Sequence, residues 1–159
     1  MKTFIALGAV ALLSLSLATP ASAVTTYEVS PLNKAFTAVG TTSLTKGSIN
    51  LTCTAHFTGK TTAAGLVEIT KASFTGNVLC GAVKDLDLPW VGTASTATKV
   101  TFAKVSVSAS LFGTCGPSSV PVTITKGAIA FSKVTLTPNC VVNGSGIKTT
   151  PVLSIIKKP

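Results

Sequence analysis

Beyond the first two dozen residues the chain alternates apolar and polar side chains in short runs, each closed by a turn former. Lys46-Gly47, Thr58-Gly59, Ala64-Gly65, Gly76-Asn77, Gly113, Gly116-Pro117, Lys126-Gly127, Pro138-Asn139 and Asn143-Gly144 punctuate it at spacings of roughly ten residues. Period-two alternation places every second side chain on one face of a pleated strand, whereas no stretch of a dozen residues keeps the apolar period of a helix. Thr, Val, Ser, Ala and Gly dominate these runs, and β-branched side chains restrict χ1 and fit a pleated surface. The pattern predicts an all-β fold, an antiparallel β-sandwich or barrel-like sandwich.

Three runs break their own rhythm in the same way. In residues 67–74 the apolar positions are odd-numbered before Lys71 and even-numbered after it; residues 100–107 switch phase at Lys104, and residues 129–136 at Lys133. A one-residue shift would turn the core face of a strand outward, so a β-bulge at or near each lysine is expected to restore the phase. Chance repetition in a chain built from few residue types is the competing reading. The first and third copies are opened by Gly65 and Gly127, followed by Asn77 and Asn139, and flanked by Cys53 and Cys80 and by Cys115 and Cys140. This weak two-fold repeat makes Cys53–Cys80 and Cys115–Cys140 the preferred pairing among three.

The start of the chain reads as a cleavable signal peptide, residues 1–23. Lys2 supplies the positive end, residues 4–17 an apolar run, and Pro20-Ala21-Ser22-Ala23 the small-x-small pattern cut after Ala23. The run is short for a bilayer span and no later segment is apolar enough, so no transmembrane segment is expected after cleavage. Residues 24–159 then form a single all-β domain, secreted to the medium or the cell surface. Four cysteines in an exported chain read as two disulfides; zinc normally needs close Cys-x-x-Cys pairs, and the sequence has none.

Charge excludes more than it implies. Removing Lys2 leaves twelve lysines against four acids, with no arginine anywhere. Nucleic-acid readers depend on arginine for bidentate and stacking contacts, and these lysines are dispersed, so no nucleic-acid partner is expected. Dispersed lysines keep an apolar β protein soluble and guard its sheet edges; attraction to an anionic surface is the lesser reading.

Catalytic chemistry is hard to find. His56, the single histidine, has no carboxylate in a recognisable partner position, and no Gly-x-Ser-x-Gly elbow exists. On a strand Asp85 and Asp87 would share a face, but the other two acids, Glu28 and Glu68, are distant in sequence, and a polar loop is the favoured reading. No enzyme activity, cofactor or metal is expected. The phenylalanines fall about one per strand or turn and read as core. Leu86, Leu88, Pro89 and Trp90 stand apart as a candidate apolar contact surface for lipid, hydrocarbon or a partner, with core packing of Trp90 as the alternative.

Several phrases occur in an order that resembles a known family. They are Thr42-Ser43-Leu44-Thr45-Lys46-Gly47, then Leu51-Thr52-Cys53-Thr54-Ala55-His56-Phe57-Thr58-Gly59, Leu88-Pro89-Trp90, and Cys115-Gly116-Pro117-Ser118. Together they resemble the small secreted bacterial protein activators of alkane oxidation, the Pra type. The resemblance implies an extracellular protein that helps cells use long-chain alkanes by aiding emulsification or contact with hydrocarbon, and it brings no catalytic residues. The expected function is therefore a secreted, non-enzymatic β protein promoting hydrocarbon utilisation at the oil–water interface or cell surface. The alternative is self-association as a structural subunit of an extracellular fibre or biofilm matrix, with residues 24–36 serving as a donated strand.

Overall fold

β-Branched runs interrupted by glycine and proline give eleven strands and one short helix in the computed structural model, which describes residues 25–159. The signal peptide read at residues 1–23 lies outside the described residues. In chain order the elements are β1 (Tyr27–Ser30), β2 (Ala35–Lys46), β3 (Ile49–Thr61), β4 (Val67–Thr75), α1 (Val78–Gly81), β5 (Lys84–Leu86), β6 (Trp90–Ala94), β7 (Lys99–Ala109), β8 (Gly113–Thr125), β9 (Ala128–Leu136), β10 (Cys140–Thr150) and β11 (Ser154–Lys157).

All pairings are antiparallel. The order β7–β6–β4–β3–β2–β10–β9–β8 returns on itself because β8 also pairs with β7, so eight strands close into a barrel. Closure resolves the choice between sandwich and barrel, and it removes the exposed ladder of an open sheet. β5 and β6 share one edge of β7: Lys84 faces Ser108 and Leu86 faces Ser106, then Gly92 faces Phe102 and Ala94 faces Val100. They act as one strand broken at Asp87, whose backbone is left-handed at φ 57°.

The phase switches are bulges. Thr58 pairs with Lys71 and Gly59 with Ile69, which leaves Thr70 as the extra residue. Phe102 pairs with Val120 and Val105 with Ser118; Phe131 pairs with Gly144 and Val134 with Val142, each inserting one residue. Lys104 and Lys133 take the left-handed conformation there, at φ 55° and 50°. Each bulge returns the next apolar side chain to the interior, so Val67, Ile69 and Ala72 are all buried despite the odd-to-even change.

The two ends of the barrel differ. At one end β1 and β11 form a separate two-stranded sheet, Tyr27 opposite Lys157 and Ser30 opposite Ser154. This cap is tied down by Val29 N–H to Gly65 O at 3.0 Å and Gly127 N–H to Leu153 O at 3.0 Å, and it buries Val29 and Leu153 completely. Two buried threonines pin its connections. Thr61 Oγ1 donates to Pro31 O and accepts from Lys34 N–H at 3.0 Å, while Thr149 Oγ1 donates to Gly127 O at 3.1 Å and accepts from Leu153 N–H at 3.0 Å.

The opposite end gathers the β2–β3, β7–β8 and β9–β10 turns, α1 and both disulfides. Cys53–Cys80 and Cys115–Cys140 form the expected pairs, with Cα separations of 5.7 and 5.9 Å. Each bridges a place where the ladder lapses. Cys80 ties α1 to β3 beyond the last pairs of β4. Cys115–Cys140 spans the β8–β9 seam, where backbone pairing is confined to Thr123–Ala130, Ile124–Ile129 and Thr125–Ala128. Thr137 helps to hold that seam, its N–H donating to Ser118 Oγ at 2.9 Å and its carbonyl accepting from Gly116 N–H at 2.7 Å.

Candidate functional site

An eight-stranded barrel is just wide enough for its inward side chains to fill it or to leave room for one small ligand. Here the filling is incomplete. A cavity of about 120 Å³ runs inside the barrel. Towards the cap it is lined by Ile69, Trp90, Phe102, Val122, Ile129 and Ile147; at mid-height by Phe57, Phe74, Val105 and Phe131; towards the disulfide end by Leu44, Leu51, Val107 and Leu136. Phe57 and Phe74 meet edge to face with ring centres 6.2 Å apart. The bulges of β4, β7 and β9 matter directly, because Phe74, Val105, Val107 and Leu136 lie after them and would otherwise face outward.

No lining residue carries a charge. The polar ones are already engaged: Thr42 Oγ1 donates to Cys53 O at 3.4 Å, and Asn143 Nδ2 donates to Ser43 Oγ at 3.2 Å while its Oδ1 accepts from Lys133 N–H at 2.7 Å. A water molecule needs two to four polar partners, so such a space favours an apolar guest. Size limits the guest. An apolar cavity of about 150 Å³ in another protein admits benzene, so this one holds a short hydrocarbon stretch and not a whole long chain.

The residues singled out in the sequence are divided by the fold. Trp90 opens β6 and is 5% exposed, a wall of the cavity, with its indole N–H donated to Leu86 O at 2.8 Å. That satisfied donor is what permits the ring to be buried. Leu86 and Leu88 are half-buried and only Pro89 is exposed, so the segment does not form a continuous apolar surface. Reading Trp90 as part of an external contact face is thereby corrected: the core alternative holds, and the indole serves the interior.

His56 points outward from β3, its Nε2 3.2 Å from Thr75 Oγ1. Asp85 accepts a 3.4 Å bond from Ala72 N–H across the gap between β4 and β5, and Asp87 is exposed at the strand break. Among the described residues no group of three His, Cys, Asp or Glu side chains comes together to hold a metal.

Exposed large apolar side chains lie at both ends of the barrel, Leu32, Val152 and Ile156 among them at the cap. Ile49, Val78, Leu79 and Leu111 stand at the disulfide end, Val78 being 91% exposed. Asn77 caps α1, its Oδ1 accepting from Leu79 N–H at 2.9 Å and Cys80 N–H at 3.1 Å. A four-residue helix anchored through Cys80 alone cannot bury the two aliphatics beside it. The signal was in the sequence: a Gly76-Asn77 turn only three residues before a bonded cysteine leaves Val78 and Leu79 no strand to join.

Among the described residues no helix is long and apolar enough to cross a membrane. No curated protein and no solved structure matches the chain. A family does: the one described as alkane oxidation protein activator, PraA/PraB-like, matches residues 1–157. The chain that builds this apolar-lined barrel therefore belongs to the PraA/PraB-like family of alkane oxidation activators.

Proposed function

We propose that this protein promotes alkane use without catalysing a reaction, acting outside the cytoplasm at the oil–water interface or cell surface, where its barrel accepts a short stretch of hydrocarbon. The observation that carries this reading is the uncharged cavity of about 120 Å³ inside a chain of an alkane-oxidation family. Ile49, Val78, Leu79 and Leu111, exposed together at the disulfide end, support an interfacial role, since aliphatic side chains held in water gain by meeting oil. Two disulfides are compatible with an oxidising compartment. The fibre alternative needs a donor strand to spare, and β1 is already paired with β11 with Val29 fully buried.

NMR with ¹³C-hexane tests the cavity: contacts from ligand methyls to Ile69 and Val107 are expected, and their absence at saturating hexane overturns it. Pendant-drop tensiometry against hexadecane tests the interface. Tension no lower than with an unrelated disulfide-bonded β protein overturns that part. Filaments in electron micrographs of purified protein would favour the fibre reading instead.

A further inference from the structure

The lysines, dispersed along the sequence, are gathered by the fold. Lys34 follows β1, Lys60 sits opposite Ala35, Lys99 opens β7, Lys126 forms the β8–β9 turn, Lys148 faces Ala128, and Lys157 and Lys158 end the β11 segment. All seven belong to the cap end of the barrel. The acids at that end are Glu28 and Glu68, and each is taken: Glu28 by Lys158 at 4.0 Å, Glu68 by Lys60 at 3.3 Å. Among the described residues that leaves Lys34, Lys99, Lys126, Lys148 and Lys157, all exposed, without an acidic partner. Among the described residues the disulfide end carries only Lys46 and Lys84, and Lys46 Nζ is spent on Phe112 O at 2.6 Å.

Apolar side chains lie among these cap lysines. Leu32 precedes Lys34, Val152 (62% exposed) packs near the Lys126-Gly127 turn, and Ile156 precedes Lys157. A soluble polyanion would draw on the lysines and make no use of exposed Leu, Val and Ile. A bilayer with anionic headgroups uses both, charge drawing the surface in and aliphatic side chains entering it. We infer that the cap end is a docking surface for an anionic phospholipid membrane. Docking there points the disulfide end, with its exposed aliphatics, away from the membrane. The inference does not rest on the cavity, and a protein that failed to bind hexane would still show it.

Vesicle co-sedimentation tests it with two charge-matched variants. One neutralises the cap (Lys34→Gln, Lys126→Gln, Lys148→Gln, Lys157→Gln); the other neutralises four lysines elsewhere (Lys71→Gln, Lys84→Gln, Lys104→Gln, Lys133→Gln). Wild type should bind phosphatidylcholine–phosphatidylglycerol vesicles and not phosphatidylcholine alone. At about fivefold per lysine near the surface, the cap variant should lose on the order of several hundredfold, and the other should stay within about threefold. Equal losses would show that only net charge matters and overturn the inference, as would no binding by wild type. Tight binding to heparin, with vesicle binding unchanged by Leu32→Ser, Val152→Ser and Ile156→Ser together, would replace the membrane by a polyanion. Nitroxide lipids give a reading that needs no variant: amide signals of residues 31–34, 126–127 and 151–157 should broaden before those of 47–49 and 110–112, and the reverse order overturns the inference.

Discussion

Adding two methylenes inside the barrel should make this protein more stable and less able to hold hydrocarbon. Val107 lines the cavity towards the disulfide end and Val122 towards the cap. A void of about 120 Å³, at ~24 cal/mol per Å³, withholds about 3 kcal/mol of packing from its walls. Val107→Ile and Val122→Ile keep a β-branched side chain on each strand and each bury one further methylene, worth about 0.8 kcal/mol. The double variant should gain about 1.5 kcal/mol. A chain of this size shifts its Tm by about 4 °C per kcal/mol, so a rise of about 6 °C is expected. Calorimetry with and without hexane reads both sides of the trade. Hexane at about ten times its Kd should stabilise wild type by about 1.4 kcal/mol, and the double variant distinctly less. A well-packed interior would respond with the opposite sign, since overpacking costs about 1–3 kcal/mol. A lower Tm in the double variant, or an equal hexane shift in both proteins, would refute the cavity as a binding space.

Three further outcomes follow from the fold. Replacing Cys115 and Cys140 by alanine should cost about 3 kcal/mol by chemical denaturation, and hydrogen exchange should rise first along the β8–β9 seam that the bridge spans. Gly40→Ala should cost about 3 kcal/mol or more, because a Cβ there would lie 2.4 Å from the Ile147 backbone across the β2–β10 pair; Gly47→Ala meets nothing within 4 Å and should lose only about 1–2 kcal/mol to its left-handed φ, a contrast urea titration will show. Val78→Ser, Leu79→Ser and Leu111→Ser together should leave the Tm nearly unchanged and weaken adsorption to hexadecane, read by tensiometry.

Much of this architecture is legible in the sequence because it is written locally. Alternation marks the strands, and the phase switches at Lys71, Lys104 and Lys133 mark the bulges, since only an inserted residue keeps Ile69 and Ala72 facing the same interior. The cysteine brackets around the two related hairpins give the disulfide pairs. What closes the barrel is non-local. No short-range pattern announces that β10 will pair with β2, or that β1 will pair with β11 in the cap. The cavity is invisible for a different reason: alternation says which side chains face inward, and whether they meet across the middle depends on barrel radius. Trp90 misleads as an external contact because Pro89 and two acids surround it in sequence; its partner, the Leu86 carbonyl, appears only once the chain folds back at Asp87.

The cap also imposes an order of assembly. Tyr27 finds its partner, Lys157, only once all of the chain between them has been made. Hairpins such as β2–β3 can zip as soon as their own residues arrive, but contacts this far apart in sequence close late. The β1–β11 cap is therefore expected to close after the hairpins of the barrel wall, and pulse-labelled hydrogen exchange should protect β2–β3 before β1–β11.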